Sequence, residues 1–132
     1  MAQIKKKAHF IIIDDSELDC FIAGKMIKHS GKSLSIKSFL NAKDALDYIS
    51  SSTSTDGNLT MLLLDILMPM MNGLQFVEEF EKLPADLQHN YQIVAFTSSM
   101  NKKDINTMKN CKSIKLILDK PLTVEILQTI LD

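Results

Sequence analysis

Short apolar runs of strand length recur along the chain, and a helix-length amphipathic stretch follows each one. The first run covers residues 9–13 and closes at Asp14. The second is weaker: Ser33 to Phe39 alternates Leu34 and Ile36 against polar neighbours. Residues 61–64 close at Asp65, residues 93–96 at Thr97, and residues 114–118 just ahead of Lys120 and Pro121. Apolar runs without polar interruption suit strands covered on both faces, as in parallel sheets. The stretches between them predict helices over 16–29, 41–51, 72–82, 101–110 and 122–131. Gly31 stands where a left-handed helix cap is common. Asn41 with Asp44, and Asn101 with Asp104, read as N-terminal caps, and Pro84 stops the third helix. Five β-α repeats predict an α/β fold: a doubly wound parallel sheet with helices on both faces and right-handed crossovers. The Ser/Thr-rich segment 51–58, with Asp56-Gly57, reads as an exposed loop within one domain and not as a linker.

Composition narrows the classes of function. At 132 residues the chain has the usual size of one domain, and 45% hydrophobic residues exclude disorder. A net charge of −1, from 15 basic and 16 acidic residues, supplies no field for nonspecific nucleic-acid binding. Every basic residue is lysine, so a planar bidentate clamp on phosphate is excluded; phosphate contacts fall to ammonium groups or backbone N–H. Cys20 and Cys111 have no metal-ligand spacing and read as reduced, partly buried thiols. The first apolar run is cut by Asp14 and Asp15, too early for a signal-peptide core, and no stretch nears the roughly 20 apolar residues of a membrane span. The expected location is the cytoplasm.

Chemistry in open parallel sheets gathers beyond the carboxyl ends of the strands. Those positions hold Asp14 and Asp15, Asp65, Thr97 and Lys120; the second strand adds nothing obvious. Singly, each has an ordinary explanation. Asp15 or Ser16 caps a helix, Asp65 and Thr97 sit in turns, and Lys120 is solvated ahead of a proline. Jointly, three carboxylates, a hydroxyl and an amine fall on one sheet edge. Their local charge of about −2 favours an intervening cation. Oxygen ligands without His or Cys select a hard ion such as Mg²⁺. An ionised Asp65 is a candidate nucleophile towards phosphorus, with Thr97 and Lys120 placed to stabilise the transferring group.

Four motifs in order carry a family resemblance over essentially the whole chain: Ile-Ile-Ile-Asp14-Asp15-Ser, Leu-Leu-Leu-Asp65-Ile-Leu-Met68-Pro69-Met-Met-Asn-Gly73, Ala-Phe-Thr97-Ser-Ser and Asp119-Lys120-Pro121. The sequence resembles response-regulator receiver domains of two-component and phosphorelay systems. The resemblance implies a flavodoxin-like (βα)5 fold with strand order 2-1-3-4-5, one receiver domain over 1–132, and no output domain. Asp65 would be the phosphoacceptor. Asp14, Asp15, Asp65 and the backbone carbonyl of Leu67 would hold Mg²⁺, and Thr97 and Lys120 would bind the phosphoryl group. A cis peptide would join Lys120 to Pro121. The donor would be a phosphohistidine on a histidine kinase or a histidine phosphotransfer protein. Such a domain is not an enzyme on other substrates; it catalyses only its own phosphorylation and dephosphorylation. One departure concerns the switch. Receivers often carry an aromatic residue three positions before the lysine, and here that position is Ile117. Thr97 is then expected to close on the phosphoryl group while Ile117 repacks only slightly. Leu67, two residues after Asp65, has no polar group to orient water, so self-dephosphorylation is expected to be slow to moderate.

Receivers typically signal through the fourth helix, fifth strand and fifth helix, so a downstream protein is expected there, with room for a weak homodimer. Leu122, Val124, Ile126, Leu127, Ile130 and Leu131 make the last helix apolar over a wide arc, which fits either a partner patch or deep packing against the sheet. Lys102, Lys103, Lys109, Lys112 and Lys115 read as a solvated face. Met68 reads as core filler among eight methionines. His9, His29 and His89 have no carboxylate companion at useful spacing, which argues against a phosphohistidine carrier. A haloacid-dehalogenase-like phosphatase wants a second Asp where Leu67 stands. A flavin-mononucleotide carrier needs hydroxyls where Asp14 and Asp15 repel an anion. A receiver-shaped adaptor that needs no phosphate stays open.

Overall fold

The computed structural model describes residues 7–52, 57–66, 68, 71–97, 106, 109–120 and 122–131. Five strands form one parallel sheet: β1 (Ala8–Ile13), β2 (Ser33–Phe39), β3 (Thr60–Asp65), β4 (Tyr91–Thr97) and β5 (Ile114–Asp119). Their order is β2-β1-β3-β4-β5, as expected. The helices are α1 (Glu17–Ser30), α2 (Ala42–Ser51), α3 (Gly73–Phe80), α4 (Ala85–Gln88) and α5 (Val124–Leu131). Most of the helix predicted over 101–110 lies outside the described residues.

Alternation along the central strands sorts the core into two layers. Ile11 and Ile13 of β1, Leu62 and Leu64 of β3, and Ile93 and Ala95 of β4 pack with Ala45 and Ile49 of α2 and Phe76 and Phe80 of α3. Their chain neighbours Phe10, Ile12, Met61, Leu63, Val94 and Phe96 face the other way, against Cys20 and Ile27 of α1 and Leu127 and Ile130 of α5. Both faces are thus dry, which is why these strands read as unbroken apolar runs. Met68 joins the first layer, as core filler should.

Local chemistry sets the helix ends. Ser16 caps α1, its hydroxyl accepting from the Asp19 N–H at 3.1 Å, and Gly31 ends the helix at φ 72°. Asn41 caps α2 through the Asp44 N–H at 2.8 Å. Asn72 and Gln75 form a reciprocal capping box at the start of α3. That helix stops at Phe80, earlier than predicted. Leu83 precedes a proline and is biased away from helix, and Pro84 opens the extra turn α4, its carbonyl accepting from Leu87 and Gln88. The last helix starts at Val124 and not at 122, because the Thr123 hydroxyl accepts from the Ile126 N–H at 3.1 Å. Leu127 and Ile130 are buried and only Val124 of its apolar set is well exposed, so α5 packs deeply. Lys115 of the lysine group donates from Nζ to the Ile130 carbonyl at 3.0 Å, where a cation complements a helix end.

Candidate functional site

The carboxyl ends of β1, β3 and β4, with the residue after β5, converge at one edge of the sheet. Among the described residues, the buried polar side chains are Asp14, Asp65 and Thr97, and all three sit there. Burying ionisable groups is costly unless they are paired or hold a cation. Asp65 closes β3 directly, and the chain leaving it is fixed by the Ile66 N–H donating to the Phe96 carbonyl at 3.0 Å. Gly73 presses against this segment. Its N–H donates to the Ile66 carbonyl at 2.9 Å, and a Cβ at Gly73 would lie 2.8 Å from the Ile66 Cα. Glycine is required there by a close backbone approach.

Asp14, Asp15 and Asp65 each offer a carboxylate oxygen, and these oxygens lie within 4.8 Å of one another. Asp15 is exposed, so the group opens to solvent on one side. Asp14 is fixed from both ends: Oδ1 accepts from the Ser16 N–H at 2.9 Å, and Oδ2 accepts from Lys120 Nζ at 2.7 Å. The Lys120 N–H donates to the Thr97 carbonyl at 2.9 Å, which ties the lysine backbone to the end of β4. Its ammonium lies 3.5 Å from Asp65 Oδ2. Burial works against the Lys120 charge, but its hydrogen bonds to Asp14 and Asp19 and the field of Asp65 outweigh it and raise its pKa above the ordinary lysine value. The lysine therefore stays cationic within the acidic group.

The predicted members Asp14, Asp15, Asp65, Thr97 and Lys120 are therefore brought to one edge. Ile117 is half-buried on β5, paired with Ala95, while Thr97 pairs with Asp119. Ile117 is thus the diagonal neighbour of Thr97 on the same face of the sheet. Leu67 and Pro121, and with them the expected carbonyl ligand and cis peptide, lie outside the described residues.

Asp19 was not foreseen. It accepts from Lys120 Nζ at 3.0 Å from the first turn of α1. Its sequence signal is only that of an acid three residues after a Ser cap, in the first turn of a helix. Beside these groups lies a cavity of about 130 Å³, walled by Ile22, Ala23, Phe96 and Leu122 and floored by Asp14 and Asp65. A larger one, about 410 Å³, opens at the opposite end of the sheet around His9, Lys37, Tyr48 and Tyr91. Among the described residues it is lined by no carboxylate.

A doubly wound α/β domain with buried carboxylates, a hydroxyl and a lysine at its strand ends defines the class. The model of the response regulator receiver domain family matches residues 10–132. The chain belongs to that family, the receiver domains of two-component signalling. It is 31% identical to a response regulator receiver protein from Dyadobacter fermentans, with a TM-score of 0.83 over 94% of each chain. The receiver domain of a sensor histidine kinase from Pseudomonas aeruginosa, solved with a magnesium ion coordinated in its active-site cleft, shares the fold. Its TM-score is 0.75 at 16% identity, over 95% of this chain and 94% of that one. A protein-glutamate methylesterase/protein-glutamine glutaminase of Treponema pallidum (strain Nichols) is 34% identical over 102 residues, 76% of this chain. The chain spans only 23% of the length of that curated relative. Among the described residues, no helix is long and apolar enough to cross a membrane.

Proposed function

We propose that this domain takes a phosphoryl group onto Asp65 in an Mg²⁺-dependent transfer from a phosphohistidine, and that the modification switches partner binding. The observation that carries the reading is the convergence of Asp14, Asp15 and Asp65 within 4.8 Å, with the Lys120 ammonium 3.5 Å from Asp65. An all-oxygen donor set of three carboxylates fits a hard divalent ion, and Asp14, Asp15 and Asp65 would hold it. Bound Mg²⁺ would offset the mutual repulsion of the carboxylates and the charge of the incoming phosphoryl oxygens. A carboxylate oxygen of Asp65 forms the new O–P bond. The P–N bond of the donor breaks, and the imidazole leaves with the electron pair and takes up a proton. Lys120 pairs with one phosphoryl oxygen, and the Thr97 hydroxyl donates to another. Ile117, diagonal to Thr97, repacks only slightly as that hydroxyl moves.

The donor is a histidine kinase or histidine phosphotransfer protein, and the domain acts on no other substrate. A downstream protein would read the side that carries β5 and α5. On α5, Leu127, Ile130 and Leu131 are buried, so Val124 and Ile126 are the apolar residues it leaves to such a partner. The test is intact mass after treatment with Mg²⁺ and a small phosphodonor. Wild type gains one phosphoryl group and Asp65→Asn gains none. An equal gain in both proteins, or none in wild type, removes the assignment.

A further inference from the structure

Lys120 and a divalent ion want the same oxygen. Asp14 Oδ1 accepts from the Ser16 N–H, which leaves Oδ2 as the oxygen with no backbone donor, and the Lys120 ammonium holds it at 2.7 Å. An ion seated on Asp14, Asp15 and Asp65 must draw Asp14 Oδ2 away from the lysine and repels the ammonium itself. Unless the lysine has somewhere else to go, cation and lysine exclude each other. Asp19 supplies that place. Its Oδ2 is 3.0 Å from Nζ, and its carboxylate is not among the group of three whose oxygens could hold one ion.

The geometry points to Asp19 as a positioning residue for Lys120. It keeps the ammonium on the α1 side of the cleft when a divalent cation takes the seat, so that both cations serve Asp65 together. This rests on the reading of the site as an Mg²⁺-dependent phosphoacceptor, and it adds a residue to that site. Asp19 is held for the task. It sits in the first turn of a helix capped by Ser16, and its own N–H donates to that cap. It is also half-exposed, so replacing it opens no cavity in the core. Without Asp19, Lys120 falls back on Asp14 and Asp65, and the incoming ion has to displace it completely.

The experiment is a calorimetric titration of the full chain with MgCl₂, without phosphodonor, on wild type, Asp19→Asn, Lys120→Gln and the double variant. The expected result is that Asp19→Asn weakens Mg²⁺ binding about fivefold while Lys120 is present, the scale of one partly exposed ion pair. In the Lys120→Gln background the same change should cost less than about twofold, since only through-space attraction is left. Lys120→Gln alone should bind Mg²⁺ more tightly than wild type. Asp19→Glu, which keeps a carboxylate on the same turn, should recover most of the loss. Equal weakening by Asp19→Asn in both backgrounds would overturn the proposal, because Asp19 would then act on the ion directly. No weakening at all would overturn it too. A wild-type chain that takes up no Mg²⁺ would overturn the functional reading itself, a different failure from either of these.

Discussion

Replacing Gly73 by alanine sets two physical effects against each other. Gly73 is not in the left-handed region, which among the described glycines holds Gly31 and Gly57. On backbone freedom alone, Gly73→Ala at the first position of α3 should stabilise the fold by about 0.4–1 kcal/mol through the unfolded chain. The contact points the other way. The new methyl would lie 2.8 Å from the Ile66 Cα and 3.2 Å from the Asp65 carbonyl oxygen. Both are backbone atoms of the segment that leaves β3, and no side chain can swing aside. Overpacking of this kind costs about 1–3 kcal/mol, so the contact wins. A net loss of about 1–2 kcal/mol lowers the melting midpoint by roughly 4–7 °C in a domain of this size. Far-UV circular dichroism is the assay, followed through heat and urea, since the chain has no tryptophan to report by fluorescence. Because the new methyl also presses on the Asp65 carbonyl, the function proposed above predicts that phosphoryl uptake falls with stability. A variant as stable as wild type, or more so, would refute the close-approach argument.

Cys20 gives a pH prediction. Burial, then the charges of Asp14 and Asp19, push its thiol up to about 11 from an ordinary 9.0. The folded thiol keeps its proton through a range in which the unfolded thiol ionises. Stability is therefore full below about pH 9 and is lost as pH climbs towards 11. Cys20→Ala should flatten that alkaline fall in urea midpoints; an unchanged slope would count against it. On α5, Leu127→Ala should cost about 2–4 kcal/mol, whereas Val124→Ala should lie within about 0.5 kcal/mol of wild type, measured by urea unfolding. Similar losses at both positions would mean that α5 does not pack as described.

The architecture was legible because each central strand is wetted on neither face, so its residues are apolar whichever way they point. Strand limits moved by a residue or two where polar end residues such as Thr60, Asp65 and Thr97 belong to the ladder yet look like loop. The turn α4 escaped prediction because four residues are too few to show a period. The deep seat of α5 was undecidable from its apolar arc alone, since a partner and the sheet would select the same residues. The acidic edge was readable because its members end strands, where topology alone predicts their meeting. Asp19 ends nothing. It looks like any acid in a first helical turn, and its role appears only when Lys120, 101 residues further on, is seen against it.

The sheet has two margins of opposite importance. β2, at one side, carries no reactive group and could fray without chemical consequence. β5, at the other, leads to Lys120, and none of its residues is buried, whereas most of those of β3 and β4 are. Native proteins open first where enclosure is least. A brief peeling of this outer ribbon would withdraw the sole cation of the cleft among the described residues while leaving the carboxylates mounted on the rigid centre. The cleft thus takes its positive charge from beside an edge strand and its negative charges from the ends of inner ones.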